Sequence, residues 1–550
     1  MNFPGNPTTS VSRELWQNRD SGNQARMIAR HHCPLCLGER ILYSFKADGR
    51  LLYQCSECGV LFRSELLKPL PGSLALSELG FLKNVQSPPW LKPEEKVQHL
   101  AILGVLAPKK RVAVFCCEDG EFLERLADTG VEVLAVESAT GVHETVRNLS
   151  ASELSAYSGF FDVCVIFDSL CLNANPAGCL EQIWQVLKDD GVLVLSLPSV
   201  QSWPARFFRR AWMDLYKPYL YYFDGINIQN LLFRASFNRI VLYSDQRPLT
   251  LDSLANRLQN FPSRRARIIQ ALTRVFFPGP LKRWSVPVQG SHAVIVSQKA
   301  PRAARRKLSV IVPVYNEKAT FAELMSRLLR KEIPELDREI IIVESHSIDG
   351  TREEVEKYRG HAEVKIVYED KPLGKGHAVR EGFRHATGDF ILIQDADLEY
   401  DLDDYDNLVA PLVNGQQAFV IGSRHWNSGN LWKLRQFNDM PATSWLFNAG
   451  HIFFLTLFNL LYRQSLKDPF SMFKVFRRDC LYGLHFECNR FDFDFELVIK
   501  LIRKGYLPIE LPVNYDARSF SEGKKVRALL DPLTWLRALM KYRFAPLGPR

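Results

Sequence analysis

Short apolar runs alternate with helical segments in two stretches of the chain. In the first stretch the runs are RVAVF (111–115), EVLAV (132–136), DVCVIF (162–167) and GVLVLS (191–196). In the second they are LSVIV (308–312), EIIIV (339–343), VKIV (364–367), FILIQ (390–394) and QAFVI (417–421). Runs of this length fit buried parallel strands, and the segments between them have the apolar spacing of helices. The pattern therefore predicts two successive α/β domains.

An Ala-, Pro- and Arg-rich stretch, KAPRAARRK (299–307), separates the two patterns and is predicted to be the interdomain linker. At about 100–200 residues per domain, a chain of 550 residues has room for three or so domains. We predict a flexible tail, a cysteine-bearing segment, a first α/β domain and a second α/β domain, which cover residues 1–25, 26–65, 66–300 and 301–550.

The composition is that of an ordinary globular protein, with 46% hydrophobic and 24% charged residues. The net charge of +9 is modest for this length, and it leaves open an affinity for phosphates or for an anionic membrane surface. We expect no nucleic-acid partner.

The N-terminal sequence MNFPGNPTTSVSRELWQNRD has no basic start followed by an apolar stretch, so no signal peptide is predicted. The most apolar segment, residues 446–462, contains Asn448, His451 and Asn459 and falls short of the roughly 20 apolar residues of a spanning helix. We interpret it as a buried or interfacial helix. The protein is expected in a reducing cytoplasm, and a peripheral position at the inner face of the membrane stays open.

Four of the eleven cysteines form two C-x-x-C pairs that are eighteen residues apart. They are Cys33, Cys36, Cys55 and Cys58. Two such knuckles present four thiolates, which close a tetrahedral Zn²⁺ site of the zinc-ribbon type and leave no open position for catalysis. A redox dithiol or a chance pairing is the alternative. The other seven cysteines lie mostly in apolar runs and are predicted to be reduced core residues.

The first α/β domain resembles class I S-adenosylmethionine-dependent methyltransferases. The sequence VAVFCCEDGEF stands where that family has its glycine-rich loop, whose glycines let the backbone approach the ligand closely. Cys116 and Glu118 occupy two of the glycine positions, and Gly120 remains.

Two acids in this domain fit the same resemblance. Glu137 ends the second strand, where the resemblance implies a contact with the ribose hydroxyls of the cofactor, and Asp168 ends a later strand near the adenine or the active centre. Three interpretations stay open: an active methyltransferase that uses S-adenosylmethionine, a related fold that has lost cofactor binding, and a non-catalytic binding module.

The second α/β domain opens with LSVIVPVYNE (308–317), which resembles the start of the GT-A fold of family 2 glycosyltransferases. In that family the loop lines the base and ribose of a nucleotide sugar, which implicates Pro313, Tyr315 and Glu317. The stretch VESHSIDGT follows the next strand and places Glu344 where a carboxylate accepts hydrogen bonds from the base or ribose.

The run LGKGHAVREGFRHATGDFILIQDADLEYD supplies the next candidates. Lys375 follows a glycine and offers a cation to phosphate. Asp395 and Asp397 end a predicted strand two residues apart, so both carboxylates can turn toward one Mg²⁺ or Mn²⁺, which would bridge the diphosphate of a sugar nucleotide. Glu399 offers a further oxygen.

Further along, the resemblance narrows to dolichol-phosphate mannosyltransferase-like enzymes and their bacterial polyprenyl-phosphate relatives. IGSRH, DPFSMFKVFRRD, RFDFDFELVIK and YDARSFSEGKKV contain Arg424, Asp468, Glu496 and Arg518. The resemblance implies that the two arginines bind phosphates through their forked donors. If the acceptor is a hydroxyl, Asp468 or Glu496 is predicted to take its proton.

These motifs together predict a metal-dependent, inverting glycosyltransferase. The donor is a nucleotide sugar, with GDP-mannose, UDP-glucose and UDP-N-acetylglucosamine all open. The acceptor is a polyprenyl phosphate or a cell-surface glycan. Unlike the membrane-embedded members of the family, the chain ends in DPLTWLRALMKYRFAPLGPR, without a pair of predicted spanning helices.

Overall fold

The computed structural model describes residues 32–47, 49–67, 91–117, 119–138, 146–250, 285–424, 441–516 and 530–547. The predicted tail 1–25, Glu118 and the predicted phosphate ligand Arg518 lie outside the described residues. The chain divides into two compact units, one ending at Arg302 and the other beginning at Ala303. They are called the N-terminal unit and the C-terminal unit.

The N-terminal unit contains two sheets. Its strands are β1 (Ile41–Ala47), β2 (Arg50–Cys55), β3 (Leu61–Arg63), β4 (Arg111–Phe115), β5 (Glu132–Val136), β6 (Asn148–Leu149), β7 (Phe161–Phe167), β8 (Leu187–Pro198), β9 (Tyr221–Tyr222), β10 (Phe237–Thr250) and β11 (Ser285–Lys299). Its α-helices are α1 (Pro93–Ile102), α2 (Gly120–Ala127), α3 (Ala151–Leu154), α4 (Pro176–Val186), α5 (Trp203–Phe208) and α6 (Gly225–Arg234).

The small sheet has the order β1-β2-β3-β9, and its strands pair antiparallel. Its last strand comes from the α/β part of the unit, where Tyr221 and Tyr222 pair with Phe62 and Leu61. The cysteine-bearing segment is therefore joined to the α/β fold by backbone hydrogen bonds.

The large sheet of this unit has the order β10-β11-β8-β7-β4-β5-β6. The strands from β6 to β8 run parallel, and β11 and β10 continue the sheet antiparallel. Strand order reverses between β4 and β7, and ligands of open α/β sheets bind at such a switch point. Val163, Cys164 and Val165 of β7 are fully buried because helices cover both faces of the parallel strands.

Among its described residues, the C-terminal unit contains one seven-stranded sheet, with the order β14-β13-β12-β15-β17-β16-β18. Its strands are β12 (Arg306–Val314), β13 (Leu336–Glu344), β14 (Val364–Tyr368), β15 (Phe390–Ile393), β16 (Phe419–Ser423), β17 (Lys474–Arg477) and β18 (Ile509–Pro512). Its α-helices are α7 (Lys318–Arg330), α8 (Thr351–Glu356), α9 (Lys375–His385), α10 (Tyr405–Val413), α11 (Pro441–Tyr462), α12 (Phe493–Arg503) and α13 (Leu530–Phe544).

The predicted strands of this unit are present, and four of them, β14, β13, β12 and β15, pair in parallel. Strand β17 was not predicted. It enters the sheet antiparallel to both β15 and β16, so the sheet is mixed. Phe321, Leu324, Met325 and Leu328 are all fully buried on α7, as their spacing predicts.

The apolar segment 446–462 lies within α11, a helix of 22 residues. Phe454 and Phe458 of this helix are buried, whereas Phe453 and Leu460 are 57% and 74% exposed. The helix thus has a core face and an exposed apolar face. Across the described ranges, no helix combines the length and the apolar character that crossing a bilayer requires.

Candidate active sites and a candidate metal centre

The four cysteines of the N-terminal C-x-x-C pairs converge. The Sγ atoms of Cys33 and Cys58 are 3.8 Å apart, those of Cys36 and Cys55 are 3.6 Å apart, and all four lie within 4.8 Å of one another. Among the described residues, this is the one group of three or more Cys, His, Asp or Glu that meets in this way. Four sulfur donors at this spacing fit a tetrahedral Zn²⁺.

Three strands of the large N-terminal sheet end in residues with a left-handed backbone. Cys116, Glu137 and Asp168 follow β4, β5 and β7, with φ of 49°, 48° and 60°. Non-glycine residues rarely adopt this conformation, and such strain concentrates at functional sites. The predicted residues Glu137 and Asp168 thus share the carboxyl edge of one sheet.

The loop that replaces the glycine-rich loop uses its donors within the protein. Gly120 begins α2, and the Asp119 carboxylate caps that helix by accepting a hydrogen bond from the Phe122 amide at 3.1 Å. Lys96 Nζ lies 2.7 Å from the same carboxylate, and the Cys117 amide donates to Ser138 Oγ at 3.1 Å. The amides of Cys117 and Phe122 are therefore already hydrogen-bonded within the protein.

In the C-terminal unit, the loop after β12 is tied to the loop after β13. Pro313 lies in β12, Tyr315 follows it, and the Glu317 amide donates to Thr351 Oγ1 at 2.9 Å. Glu344 ends β13 and is fully buried. Its Oε1 accepts a hydrogen bond from the Ser347 amide at 2.6 Å, and its Oε2 lies 3.7 Å from Arg352 Nε. These hydrogen bonds hold the two predicted nucleotide-binding loops at one edge of the sheet.

Lys375 is the first residue of α9, and its Nζ lies 2.6 Å from Asp395 Oδ1. Burial alone would lower the pKa of Lys375, but the carboxylates of Asp395 and Asp494 outweigh it and raise the pKa above its usual value. Gly376 follows, and a Cβ there would lie 2.5 Å from Phe493 Cβ. The start of α9 therefore approaches α12 more closely than a side chain would permit.

The three acids predicted to bind the divalent cation do not form one cluster. Asp395 faces Lys375, and Asp397 Oδ1 accepts a hydrogen bond from the Glu399 amide at 3.3 Å. Glu399 Oε2 instead accepts a hydrogen bond from the Tyr515 hydroxyl at 2.7 Å. Asp395 and Asp397 supply the hard carboxylate oxygens that Mg²⁺ and Mn²⁺ prefer.

Arg424 and Asp468 form a two-pronged ion pair. Arg424 Nε and Nη2 donate to the two carboxylate oxygens of Asp468, each at 2.8 Å. The Asp468 side chain is fully buried, and its carboxylate also accepts a hydrogen bond from the Arg424 amide at 3.1 Å. Asp468 therefore orients Arg424, and its role as a base stays a prediction.

Glu496, the other predicted base, also has a structural place. It is fully buried, it lies 2.6 Å from Lys500 Nζ, and it accepts a hydrogen bond from the Cys488 amide at 2.8 Å. These contacts anchor the segment that leads into α12. The carboxylate is engaged in these contacts, and the role of Glu496 as a base stays a prediction.

Asp494 belongs to the same motif and precedes Glu496 by two residues. It is 7% exposed, and within the described ranges its Oδ1 has no hydrogen-bond partner. Burial raises the pKa of Asp494, opposed by Lys474 and Lys375. Residues two apart on a helix point about 200° away from each other, so only one of the two acids can face the site. The RFDFDFEL motif contains both acids, but the sequence alone does not show which of them faces the site.

Lys474 completes the buried charges of this site. Its side chain is fully buried, and burial lowers its pKa to about 8, opposed by Asp494 and Asp468. At the carboxyl edge of the sheet, three cations thus lie among three carboxylates. The cations are Lys375, Lys474 and Arg424, and the carboxylates are those of Asp395, Asp468 and Asp494. An arrangement of this kind can bind an anionic donor and a divalent cation together.

Comparison with known proteins identifies both α/β folds. Residues 309–483 match the model of glycosyl transferase family 2. The C-terminal unit contains a glycosyltransferase family 2 domain. Residues 93–241 match the model of a methyltransferase domain, which lies in the N-terminal unit. The predicted succession of a methyltransferase-type and a GT-A-type fold is thereby confirmed.

Individual relatives match the glycosyltransferase part. The chain is 30% identical over 237 residues to the dolichol-phosphate mannosyltransferase of Pyrococcus furiosus. This match covers 43% of this chain and 64% of that protein. It is 28% identical over 219 residues to the dolichyl-phosphate beta-glucosyltransferase ALG5C of Trichomonas vaginalis, covering 38% and 63%. The chain therefore spans less than two thirds of the length of each of these relatives.

A solved structure of glucosyl-3-phosphoglycerate synthase from Mycobacterium tuberculosis, in complex with Mn²⁺, UDP-glucose and phosphoglyceric acid, also resembles the chain. The match covers 44% of this chain and 81% of that structure, at 19% identity and a TM-score of 0.33.

Proposed function

We propose that the C-terminal unit is a metal-dependent, inverting glycosyltransferase that moves a sugar from a nucleotide sugar to a polyprenyl phosphate or a cell-surface glycan. The observation that carries this proposal is the buried charge cluster at the carboxyl edge of a family 2 domain, where Lys375 faces Asp395 at 2.6 Å. The names of the two relatives, a mannosyl- and a glucosyltransferase acting on dolichol phosphate, support the lipid-phosphate acceptor.

Each charged residue has a proposed part in this reaction. Asp395 and Asp397 would hold Mg²⁺ or Mn²⁺, whose positive charge would stabilise the leaving diphosphate. Lys375 releases Asp395 and binds a phosphate oxygen of the donor. Arg424, oriented by Asp468, binds a second phosphate through its forked donors. Pro313, Tyr315, Glu317 and Glu344 line the base and ribose.

We propose Asp494 as the residue that faces the acceptor. An ionised lipid phosphate needs no base, whereas a glycan hydroxyl must lose its proton to one. Burial raises the pKa of Asp494, and a carboxylate with a higher pKa is a stronger base for the acceptor proton. Its unpartnered Oδ1 is the atom that would receive it.

Replacement of both metal-binding acids tests the proposal. In Asp395→Asn/Asp397→Asn, Mn²⁺-dependent turnover of GDP-mannose, UDP-glucose and UDP-N-acetylglucosamine should fall by roughly 100-fold or more, because the leaving diphosphate loses its counter-charge. Asp403→Asn is the matched control, since its side chain is 87% exposed beside the same segment. Turnover at the wild-type rate in the double variant would contradict the proposed metal-dependent glycosyltransferase function.

An exposed apolar stripe on α13 supports contact with a membrane surface. Leu533, Leu536, Met540 and Phe544 are 67%, 38%, 46% and 79% exposed, and their spacing places them on one face. Arg537 and Lys541 are exposed beside this stripe. Apolar side chains flanked by cations are typical of helices that lie in an anionic membrane interface.

Vesicle flotation tests this contact. Wild-type protein should float with vesicles that contain anionic lipid, and Leu536→Glu/Met540→Glu should remain in the pellet fraction at the same lipid concentration. A matched double change away from the stripe, Glu323→Gln/Arg327→Gln on α7, replaces two exposed residues that pair with each other and should float like wild type. Equal flotation of all three proteins would argue against the membrane contact.

The cysteine cluster is proposed to hold a structural Zn²⁺. The methyltransferase domain match also favours a second activity, methyl transfer from S-adenosylmethionine by the N-terminal unit. Calorimetric titration of the full chain with S-adenosylmethionine tests it, and an absence of heat at high ligand concentration would speak against it.

A further inference from the structure

Three polar side chains from neighbouring strands meet at the carboxyl edge of the large N-terminal sheet. Asp168 follows β7, Ser196 lies in β8 and His292 lies in β11. Ser196 Oγ donates to Asp168 Oδ1 at 3.0 Å, and His292 Nε2 lies 3.6 Å from the same oxygen. The side chains of Asp168 and His292 are only 15% and 5% exposed. An acid, an imidazole and a hydroxyl are thus assembled across β7, β8 and β11, beside the switch point of the sheet.

Other charged groups also act on this carboxylate. Burial raises the pKa of Asp168 to about 7, Lys217 and Lys96 lower it, and Asp214 raises it. The nearby thiol of Cys171 is fully buried, and burial raises its pKa well above the usual value. Asp168 therefore changes its protonation state in the range where a general base works best.

The segment from Trp203 to Lys217, which contains the Asp214 and Lys217 that act on this carboxylate, exposes apolar and aromatic side chains. Trp203 and Phe207 stack with ring centroids 5.3 Å apart and are 43% and 42% exposed, and Met213 and Tyr216 are each 39% exposed. The Trp212 ring nitrogen donates to Ser291 Oγ at 3.4 Å, which ties this segment to the residue before His292. We name Trp203, Phe207, Met213 and Tyr216 the apolar rim. Exposed aromatic faces of this kind suit the apolar face of a sugar ring.

We propose that Asp168 is the proton acceptor for methyl transfer to a carbohydrate hydroxyl, with His292 and Ser196 as positioning residues. The hydroxyl oxygen attacks the methyl carbon of a sulfonium donor such as S-adenosylmethionine. The new C–O bond forms as the C–S bond breaks, the sulfonium becomes a thioether, and the hydroxyl proton passes to the Asp168 carboxylate. The choice of a carbohydrate rests on the proposed glycosyltransferase function of the same chain.

The test uses the full-length protein, S-adenosylmethionine as donor, and the p-nitrophenyl glycosides of glucose, mannose and N-acetylglucosamine as acceptors. In Asp168→Asn, methyl transfer should fall by roughly 100-fold or more because the proton has no acceptor. The Kd for S-adenosylhomocysteine, measured by calorimetry, should stay within about threefold of wild type, because the donor is bound by other residues. Asp189→Asn, fully exposed in the same unit, is the control and should match wild type.

The two positioning residues have a separate readout. Ser196 Oγ donates a hydrogen bond to the Asp168 carboxylate, and the polar His292 ring nitrogen lies 3.6 Å from the same oxygen, so both neighbours favour the ionised form. In His292→Gln and Ser196→Ala the rising limb of the rate against pH should therefore move to higher pH, whereas a purely structural role would lower the rate equally at every pH. This measurement stays decisive if Asp168→Asn does not fold.

Two results would overturn the proposal: a wild-type rate in Asp168→Asn, or no methyl transfer from wild-type protein to any of the three glycosides. Nucleotide-sugar turnover is measured on the same samples. Its loss without loss of methyl transfer would count against the glycosyltransferase function alone.

Discussion

The carboxyl edges of the two large sheets carry different charges. In the C-terminal unit, cations stand directly against carboxylates, with Lys375 2.6 Å from Asp395 and Arg424 2.8 Å from Asp468. In the N-terminal unit, the strands end in the acids Glu137 and Asp168, which follow β5 and β7. A nucleotide sugar presents a diphosphate anion, whereas a sulfonium methyl donor presents a cation. Each edge thus has the charges that its proposed donor requires.

The backbones of the two edges differ as well. The C-terminal site uses glycines, since Gly374 has φ of 109° and Gly376 leaves no room for a Cβ. The N-terminal edge places Cys116, Glu137 and Asp168 in the left-handed region without a glycine. Glycine permits a close approach of backbone to backbone, while a left-handed non-glycine residue turns a side chain at the cost of strain.

The largest expected effect comes from disrupting the cysteine cluster, which supports the N-terminal unit, while the C-terminal unit stays unchanged. Cys58→Ser deletes one thiolate of the cluster, and loss of a structural metal destabilises by more than about 4 kcal/mol. The small sheet is joined to the α/β part through β9, where the Tyr222 hydroxyl donates to the Asp214 carbonyl oxygen at 3.4 Å. We expect loss of bound zinc and a lower unfolding midpoint for the N-terminal unit, with unchanged nucleotide-sugar turnover.

Zinc content and thermal unfolding measure this effect. Cys116→Ser, a half-buried cysteine outside the cluster in the same unit, should retain zinc. A wild-type unfolding midpoint in Cys58→Ser would mean that the cluster holds no structural metal.

A smaller effect separates the two acids of α12. Asp494→Asn should lower glycosyl transfer to a hydroxyl acceptor by roughly 100-fold. It should also raise stability at neutral pH. Because burial raises the pKa of Asp494, the folded protein favours its protonated form, and wild type loses stability as pH rises above the unfolded pKa of about 3.9. The neutral Asn side chain does not ionise and so does not lose stability in this way. The stability gain of Asp494→Asn over wild type should therefore vanish at low pH.

Glu496→Gln provides the contrast. Breaking its buried pair with Lys500 should cost about 3–5 kcal/mol, while the folded fraction keeps its rate. Urea unfolding at several pH values and acceptor turnover distinguish the two variants. A loss of turnover in Glu496→Gln together with unchanged turnover in Asp494→Asn would favour Glu496 as the base.

Sequence patterns predicted the local parts of this protein well. The runs 111–115 and 132–136 coincide with β4 and β5, because strands buried on both faces leave an uninterrupted apolar signature. Contacts between distant segments were missed. Strand β9 has two residues and pairs with β3 about 160 positions earlier, and β17 enters between strands that precede it. Pairings of this kind depend on the assembled fold and have no local pattern.

The candidate site was predicted in the same uneven way. Lys375 and Asp395 were identified from motifs, and the structure brings them together. The ion pairs of Asp468 with Arg424 and of Glu496 with Lys500 were not predicted, because these partners can be recognised only once the side chains have directions. Ser196 and His292 carried no sequence signal at all, since they come from strands about 95 residues apart that pair in the sheet.

The smallest effect tests the close approach that distinguishes the C-terminal edge. In Gly376→Ala the new Cβ would lie 2.5 Å from Phe493 Cβ, so α9 must shift and carry Lys375 with it. We expect a loss of about 1–3 kcal/mol in the free energy of unfolding. Turnover should fall roughly tenfold, because the Lys375 amine moves away from its phosphate. Gly450→Ala is the matched control, because a Cβ there meets nothing within 4 Å and α11 should gain about 0.5–1 kcal/mol. If denaturant unfolding and turnover give the same result for both variants, the contact between α9 and α12 does not set the position of Lys375.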